Sequence, residues 1–134
     1  MADTIKLEVV TPERVVVSEA AEYIEIPGST GCIGVLPAHA PLLTELAPGE
    51  INYRVGDQVK RLAVGWGLAE VLPEQVTVLA RVAERAEEID VARAEAAKIR
   101  AEEALRTATP GADMEETETA LRRATARLQV AGKK

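Results

Sequence analysis

No phenylalanine occurs in the 134 residues and aromatics make up only 2%, so the core has to be assembled from Val, Ile, Leu and Ala. The single cysteine, Cys32, excludes an internal disulfide framework and suits a reducing compartment. His39 is the only histidine. Neither a nucleophile elbow nor a P-loop is present, so His39 lacks a chemical partner, and its ordinary reading is a hydrogen-bonded structural histidine. Basic charge is in deficit: the net charge of −6 argues against general nucleic-acid binding, which needs a basic face. No run approaches the ~18 consecutive apolar residues of a membrane span. The start, MADTIKLEVV, lacks a basic segment followed by an apolar block. A mature, soluble cytoplasmic chain is expected, with any membrane association supplied by a partner.

What the chain does have is a bent, well-specified segment from Gly31 to Ile51, GCIGVLPAHAPLLTELAPGEI. Pro37, Pro41 and Pro48 fix φ and remove backbone donors, while Gly31, Gly34 and Gly49 permit turns. Neither a helix nor a long strand fits it. Its apolar members Ile33, Val35, Leu36, Leu42, Leu43 and Leu46 are expected to anchor it, holding Ala38-His39-Ala40 at or just under the surface.

Short strands surround this segment. Ile5, Leu7 and Val9 alternate with other residues at the period of a half-buried strand, ended by Thr11-Pro12-Glu13. Val15–Val17 and Tyr23–Ile26 follow, then a Pro27–Gly31 turn cluster. Glu50–Val55 and Gln58–Val64 flank Gly56-Asp57, a loop with glycine where a type II′ turn needs it. Leu68–Leu72 and Val76–Val82 flank Pro73-Glu74-Gln75. Such a run predicts an antiparallel sandwich or barrel.

From about Ala83 onward, Ala, Glu and Arg replace the β-branched residues, and helix is predicted. Ala94, Ala97, Ala101, Ala104 and Ala108 form one stripe; Met114, Thr117, Leu121, Ala124, Leu128 and Ala131 form another. Thr109-Pro110-Gly111 separates them, and Asp113 with Glu116 makes a capping pair for the second helix. The fold class is therefore α+β: an antiparallel β-sandwich over residues 1–86 and an antiparallel two-helix hairpin over 87–134. Alanine methyls bury far less than the ~1.5–3 kcal/mol of a large aliphatic side chain, so the hairpin is expected to be weakly held and able to open. Asp90 is an ordinary N-cap with Arg93 solvated, and acids before bases in the second helix suit its dipole. Arg123 and Arg127, four apart, share a face and can together grip an anion.

The run Gly-x-x-Gly-Val-Leu-Pro-x-His-Ala-Pro-Leu followed by Pro-Gly-Glu-Ile resembles the ε subunit of bacterial and chloroplast F-type ATP synthases. Gly65–Val71 is similar to that family's GGFLEV-type strand, and Ile89–Ala94 fits its IDxxRA motif. Trp66 replaces a usual second glycine, and Ala69 stands where an aromatic is typical. The resemblance implies a non-catalytic rotor subunit at the cytoplasmic face of the cell membrane. It also implies a sandwich that binds the γ subunit and the c-ring, with His39, Pro37, Pro41 and Leu42 in that contact. Extended, the hairpin would present Arg122, Arg123 and Arg127 to the β subunit beside α and block hydrolysis. Folded down, it implies ATP as a regulatory ligand, with Asp90 near the adenine amino group, Arg93 near the ligand, Arg123 and Arg127 toward the phosphates, and Glu84 as a weaker match. No P-loop or magnesium site supports hydrolysis in the chain, and no cofactor is required. Two rivals are a small-ligand-binding sandwich with a helical dimerisation tail, and an enzyme using His39.

Overall fold

A computed structural model describes residues 4–107 and 114–132. Eight strands, β1 (Ile5–Val10), β2 (Val15–Ala21), β3 (Tyr23–Gly28), β4 (Gly31–Val35), β5 (Leu42–Leu46), β6 (Gly49–Val55), β7 (Gln58–Val71) and β8 (Gln75–Arg85), precede a 3₁₀ turn at Ala86–Glu88. Helices α1 (Val91–Arg106) and α2 (Met114–Gly132) follow. Strand pairing is antiparallel except between β1 and β8, which run parallel from Lys6↔Gln75 to Val10↔Leu79.

The two hairpin turns follow local chemistry. Gly56 has φ +61° and Val55 pairs Gln58, as a type II′ loop requires. Leu72 and Gln75 exchange both backbone bonds around Pro73-Glu74.

The expected break between Val64 and Leu68 does not occur. β7 is one strand of 14 residues, pairing on one side with β6 and then β5, and on the other with β8. Along it the buried parity changes: Leu62 and Val64 point into the sandwich before Trp66, Ala69 and Val71 after it. β8 changes with it, from Val76, Val78 and Ala80 to Ala83. The β5–β6 path changes at Ala47-Pro48, between Leu46 and Ile51. Three neighbouring strands thus turn one corner together and carry a single sheet into two packed layers. The first layer orders β2, β1, the start of β8, the end of β7 and β5; the second orders β4, β3, β6, the start of β7 and the end of β8.

Backbone shape at the corner is special, with φ +43° at Trp66 and +149° at Gly67. A Cβ on Gly67 would lie 2.0 Å from the Leu79 carbonyl oxygen. Between the layers sit Ile5, Leu7, Ile24, Ile26, Ile51, Tyr53, Leu62 and Val71, each nearly fully buried. Tyr53 brings a hydroxyl to the core edge, where it donates to Glu19 Oε2 at 2.6 Å while Lys60 Nζ donates to Glu19 Oε1 at 2.7 Å. Arg85 Nη2 closes the same corner on the Val16 carbonyl at 2.9 Å.

The hairpin lies on the outer face of the second layer. Its contact is small: Val130 and Ala131 of α2 join Ala63 and Ile89. Of these only Val130 and Ile89 are large, each worth about 1.5–3 kcal/mol when buried. The second predicted stripe is only partly inward, since Ala124 and Ala131 are buried, Leu121 and Leu128 half-buried, and Met114 exposed. Ala126 and Val130, outside that stripe, are buried because α2 packs on the sandwich as well as on α1. Ala108, the Thr109–Gly111 stop and Asp113 lie outside the described residues.

Candidate functional site: an arginine cleft under the hairpin

Asp90 Oδ1 accepts the Arg93 backbone N–H at 3.1 Å, so the carboxylate caps α1 as its position demands. Asp90, Arg93 and Ala94 face Glu84, Glu88 and Arg127 across a cleft of about 150 Å³. Arg14 pairs with Glu88, whose carboxylate also accepts the Arg85 backbone N–H at 2.9 Å. That backbone bond, then the Arg14 side chain, lowers the Glu88 pKa against the opposing effect of burial. Arg127 Nε donates to Glu84 Oε1 at 2.7 Å.

Beside this cleft, Arg100, Arg123 and Arg127, with Glu116 and Thr117 among them, line an open groove of about 320 Å³ between the helices, together with Ala97, Ala101, Ala104, Ala120 and Ala124. The alanine stripe does two things here. Ala94, Ala101 and Ala124 are buried at the seam, whereas Ala97 and Ala104 leave space that larger side chains would fill. Arg123 stacks over Trp66 with Cζ 4.2 Å from the ring centroid. Burial first, and then the neighbouring Arg127, lowers the Arg123 pKa, so its charge is held partly out of water.

The fold thus brings Glu84, Asp90, Arg93, Arg123 and Arg127 to one side of the hairpin. Arg122 does not join them and is exposed. Arg100 belongs to the group and was not anticipated. Its signal was its spacing, seven residues or two turns beyond Arg93 on the same helix. The arginines of this assembly supply donors of the kind that bind an anion.

The His39 turn lies elsewhere, past the corner and beside the far end of β7, where Leu42 pairs Val71. The Ala38 N–H donates to the Pro73 carbonyl at 2.8 Å, and Ala38 takes φ +69°. His39 is half-buried, and its Nδ1 lies 2.6 Å from the Ala40 carbonyl oxygen, which makes Nδ1 the donor. The anchoring expected of Leu36, Leu42 and Leu43 fails: they are 60%, 36% and 68% exposed, and only Val35 and Leu46 of that set are buried. Successive side chains of a strand face opposite sides, so Leu43 points outward on β5 where Leu46 points inward, and Leu36 lies beyond the end of β4.

Pro41, Leu42, Leu43, Glu70, Val71 and Leu72 line a groove of about 250 Å³. The apolar surface continues over the first layer, where Leu68 pairs directly with Leu79, both exposed. Leu68 and Leu79 were missing from the sequence-based contact surface. Pro37 is half-buried and Pro41 exposed at the rim of this face.

Comparison with known proteins accounts for both halves. A family model described as ATP synthase, Delta/Epsilon chain, beta-sandwich domain matches residues 4–86. One described as ATP synthase, Delta/Epsilon chain, long alpha-helix domain matches residues 87–132. The ATP synthase epsilon chain of Syntrophobacter fumaroxidans is 50% identical over 133 residues, covering 99% of each chain. That of Koribacter versatilis is 57% identical over 110 residues, covering 82% of this chain and 78% of the relative. In a cryo-EM structure of the Euglena gracilis mitochondrial ATP synthase, OSCP/F1/c-ring in rotational state 1, one chain superimposes with a TM-score of 0.81 at 23% identity, covering 98% of this chain and 82% of that one. The same fold therefore persists where most of the sequence differs. With both of its parts matched and its relatives named epsilon chains end to end, the chain belongs to the ATP synthase Delta/Epsilon family.

Proposed function

We infer that the chain works in the ATP synthase central stalk as a non-catalytic rotor subunit, coupling proton flow to ATP synthesis and restraining ATP hydrolysis through its hairpin. The sandwich docks on γ and approaches the c-ring with the face that carries Leu43, Leu68, Leu79 and the His39 turn, including Pro37, Pro41 and Leu42. Exposed leucines on a rigid sheet favour such a contact. Extended along γ, the hairpin offers Arg122, Arg123 and Arg127 to acidic residues of β, beside α. Folded down, it withholds two of them.

The observation that carries this reading is the capture of both inward arginines by the sandwich, Arg127 by Glu84 and Arg123 by Trp66. A brake whose gripping side chains are held in the compact state is disengaged there. ATP acts as a regulatory ligand of that state. Asp90 and Arg93 lie at the small cleft suited to the base, Arg100, Arg123 and Arg127 at the groove suited to phosphates, and Glu84 between them. The ligand favours the compact form by its differential affinity. Among the described residues, no helix is long and apolar enough to cross a membrane. Attachment at the cytoplasmic face of the cell membrane comes through the complex, and the isolated chain is a monomer.

The test reconstitutes α, β and γ and follows ATP hydrolysis with the full chain, with a version ending at Glu87, and with neither. Both versions should bind, and only the full chain should slow hydrolysis. If both bind and neither slows it, the hairpin is not a brake. If neither binds, the rotor assignment fails.

A further inference from the structure

Trp66 is the chain's only tryptophan, and among the described residues only it and Ala38 take positive φ without being glycine. That region crowds Cβ against the following carbonyl oxygen, so a bulky side chain is disfavoured there. The corner of the sandwich needs the left-handed turn; it has no need of an indole. The ring lies instead where the corner meets α2, 38% exposed, with the Arg123 guanidinium over it. Residue 65 contributes to this seating. Arg123 Cδ and Cγ run 3.4 and 3.7 Å from where a Cβ on Gly65 would stand, so the arginine stem passes over β7 at Gly65 on its way to the ring. The guanidinium is also partly desolvated, the condition in which a cation gains most from an aromatic face. One turn further along α2, Arg127 is held by Glu84.

We propose that Trp66 is a latch that docks α2 onto the sandwich without any nucleotide, by holding the same arginine that a phosphate would otherwise engage. The compact hairpin is then populated through protein contacts alone. An anionic ligand must take Arg123 from the indole and Arg127 from Glu84 before it adds stabilisation of its own. It therefore shifts the docking equilibrium less than it would with both arginines free. This last consequence rests on the regulatory reading above, whereas the latch does not.

The latch is tested on the isolated full chain, with neither nucleotide nor partner subunits. Two variants attack it from opposite sides. Trp66→Gly keeps the positive-φ corner with the residue that best tolerates it; Arg123→Gln leaves the corner untouched. Each should raise amide hydrogen exchange in α2 about three- to tenfold, the range expected for loss of such a contact. Exchange in β1 and β8 should stay unchanged. Arg123→Gln should also shift the emission of the lone tryptophan to longer wavelength as water replaces the guanidinium, and Arg123→Lys should retain most of the protection. If either Trp66→Gly or Arg123→Gln leaves α2 exchange within twofold of the parent, the latch is overturned. The hydrolysis assay on the reconstituted complex reads the brake separately, so the two ideas can fail independently.

Discussion

Arg127 Nε on α2 and Glu84 Oε1 on β8 are 2.7 Å apart, and both side chains are less than a third exposed. With so few large apolar side chains between hairpin and sandwich, this ion pair carries a noticeable share of docking. A double-mutant cycle over Glu84→Ala and Arg127→Ala should give a coupling of about 0.5–1 kcal/mol, at the upper end for partly exposed pairs. Protease cleavage within residues 87–107 measures it when opening is fast relative to cutting. A coupling near zero would mean that α2 is held by its apolar contacts and Arg123, without help from this ion pair.

Tyr53, bonded to Glu19, makes stability sensitive to alkaline pH. Burial, and then the adjoining Glu19 carboxylate, pushes the Tyr53 hydroxyl up from 10.0 to about 12. The folded state therefore favours the neutral phenol. The stabilisation is complete below pH ~10 and fades as pH rises toward 12. Denaturation midpoints of the parent chain should fall across that window, and Tyr53→Phe should flatten the fall. Bonds from Lys60 first and Tyr53 second lower the Glu19 pKa, so its contribution is present above the ordinary carboxylate range and disappears in acid. Tyr53→Phe should shrink that acid loss, because the Glu19 pKa of the folded state moves back toward its ordinary value while the onset, set by the unfolded chain, stays where it was. An unchanged alkaline limb in the variant would assign the titration to another group.

Gly67 and Gly132 separate strain from mere loss of glycine. At Gly67 an added Cβ meets the Leu79 carbonyl oxygen at 2.0 Å, on a backbone with φ +149°. Gly67→Ala should cost more than ~3 kcal/mol or prevent the sandwich from folding. At Gly132, in the last turn of α2, no atom lies within 4 Å of an added Cβ. Gly132→Ala should leave stability within ~0.5 kcal/mol of the parent or raise it slightly. Thermal unfolding of the two variants checks both statements. Equal effects would remove the corner's special status.

Local chemistry was legible wherever it sufficed. Gly56-Asp57 and Pro73-Glu74 marked their turns because tight turns need particular φ values, and Asp90 marked the start of α1 because a cap needs an acceptor. Gln58–Val64 and Leu68–Leu72 read as separate strands, although the family resemblance of Gly65–Val71 is to a strand; glycine weakens a strand in isolation. In the fold, β5, β6 and β8 supply partners on both edges of β7, and pairing overrides propensity. Leu36, Leu42 and Leu43 were read as anchors because apolarity shows that a residue avoids water and not which molecule covers it. Arg100 was overlooked among many charges, although its distance from Arg93 placed it on the shared face. The partner of Trp66 was beyond reach, because an arginine 57 residues away in sequence leaves no local mark on the strand it covers.

The exposed leucines give the last prediction. Leu43, Leu68 and Leu79 are 68%, 45% and 54% exposed on the outer face of the first layer, and Leu68 and Leu79 are direct cross-strand partners. In the isolated chain they have little burial to lose. Leu68→Ser with Leu79→Ser should shift unfolding by about 1 kcal/mol or less, the size of a lost cross-strand contact. Against γ, the same two changes should weaken association by tenfold or more, because burying a large apolar side chain contributes roughly 1.5–3 kcal/mol that serine does not return. Binding of immobilised γ by parent and variant, with circular dichroism as the control for folding, distinguishes the cases. Equal affinity would move the γ contact off this face and leave the leucines to another partner. Lost folding would mean that the Leu68–Leu79 pair holds the sheet together. Lost affinity with retained folding would show that this apolar sheet face is built for a neighbour, while the opposite layer, under α2, is reserved for the hairpin.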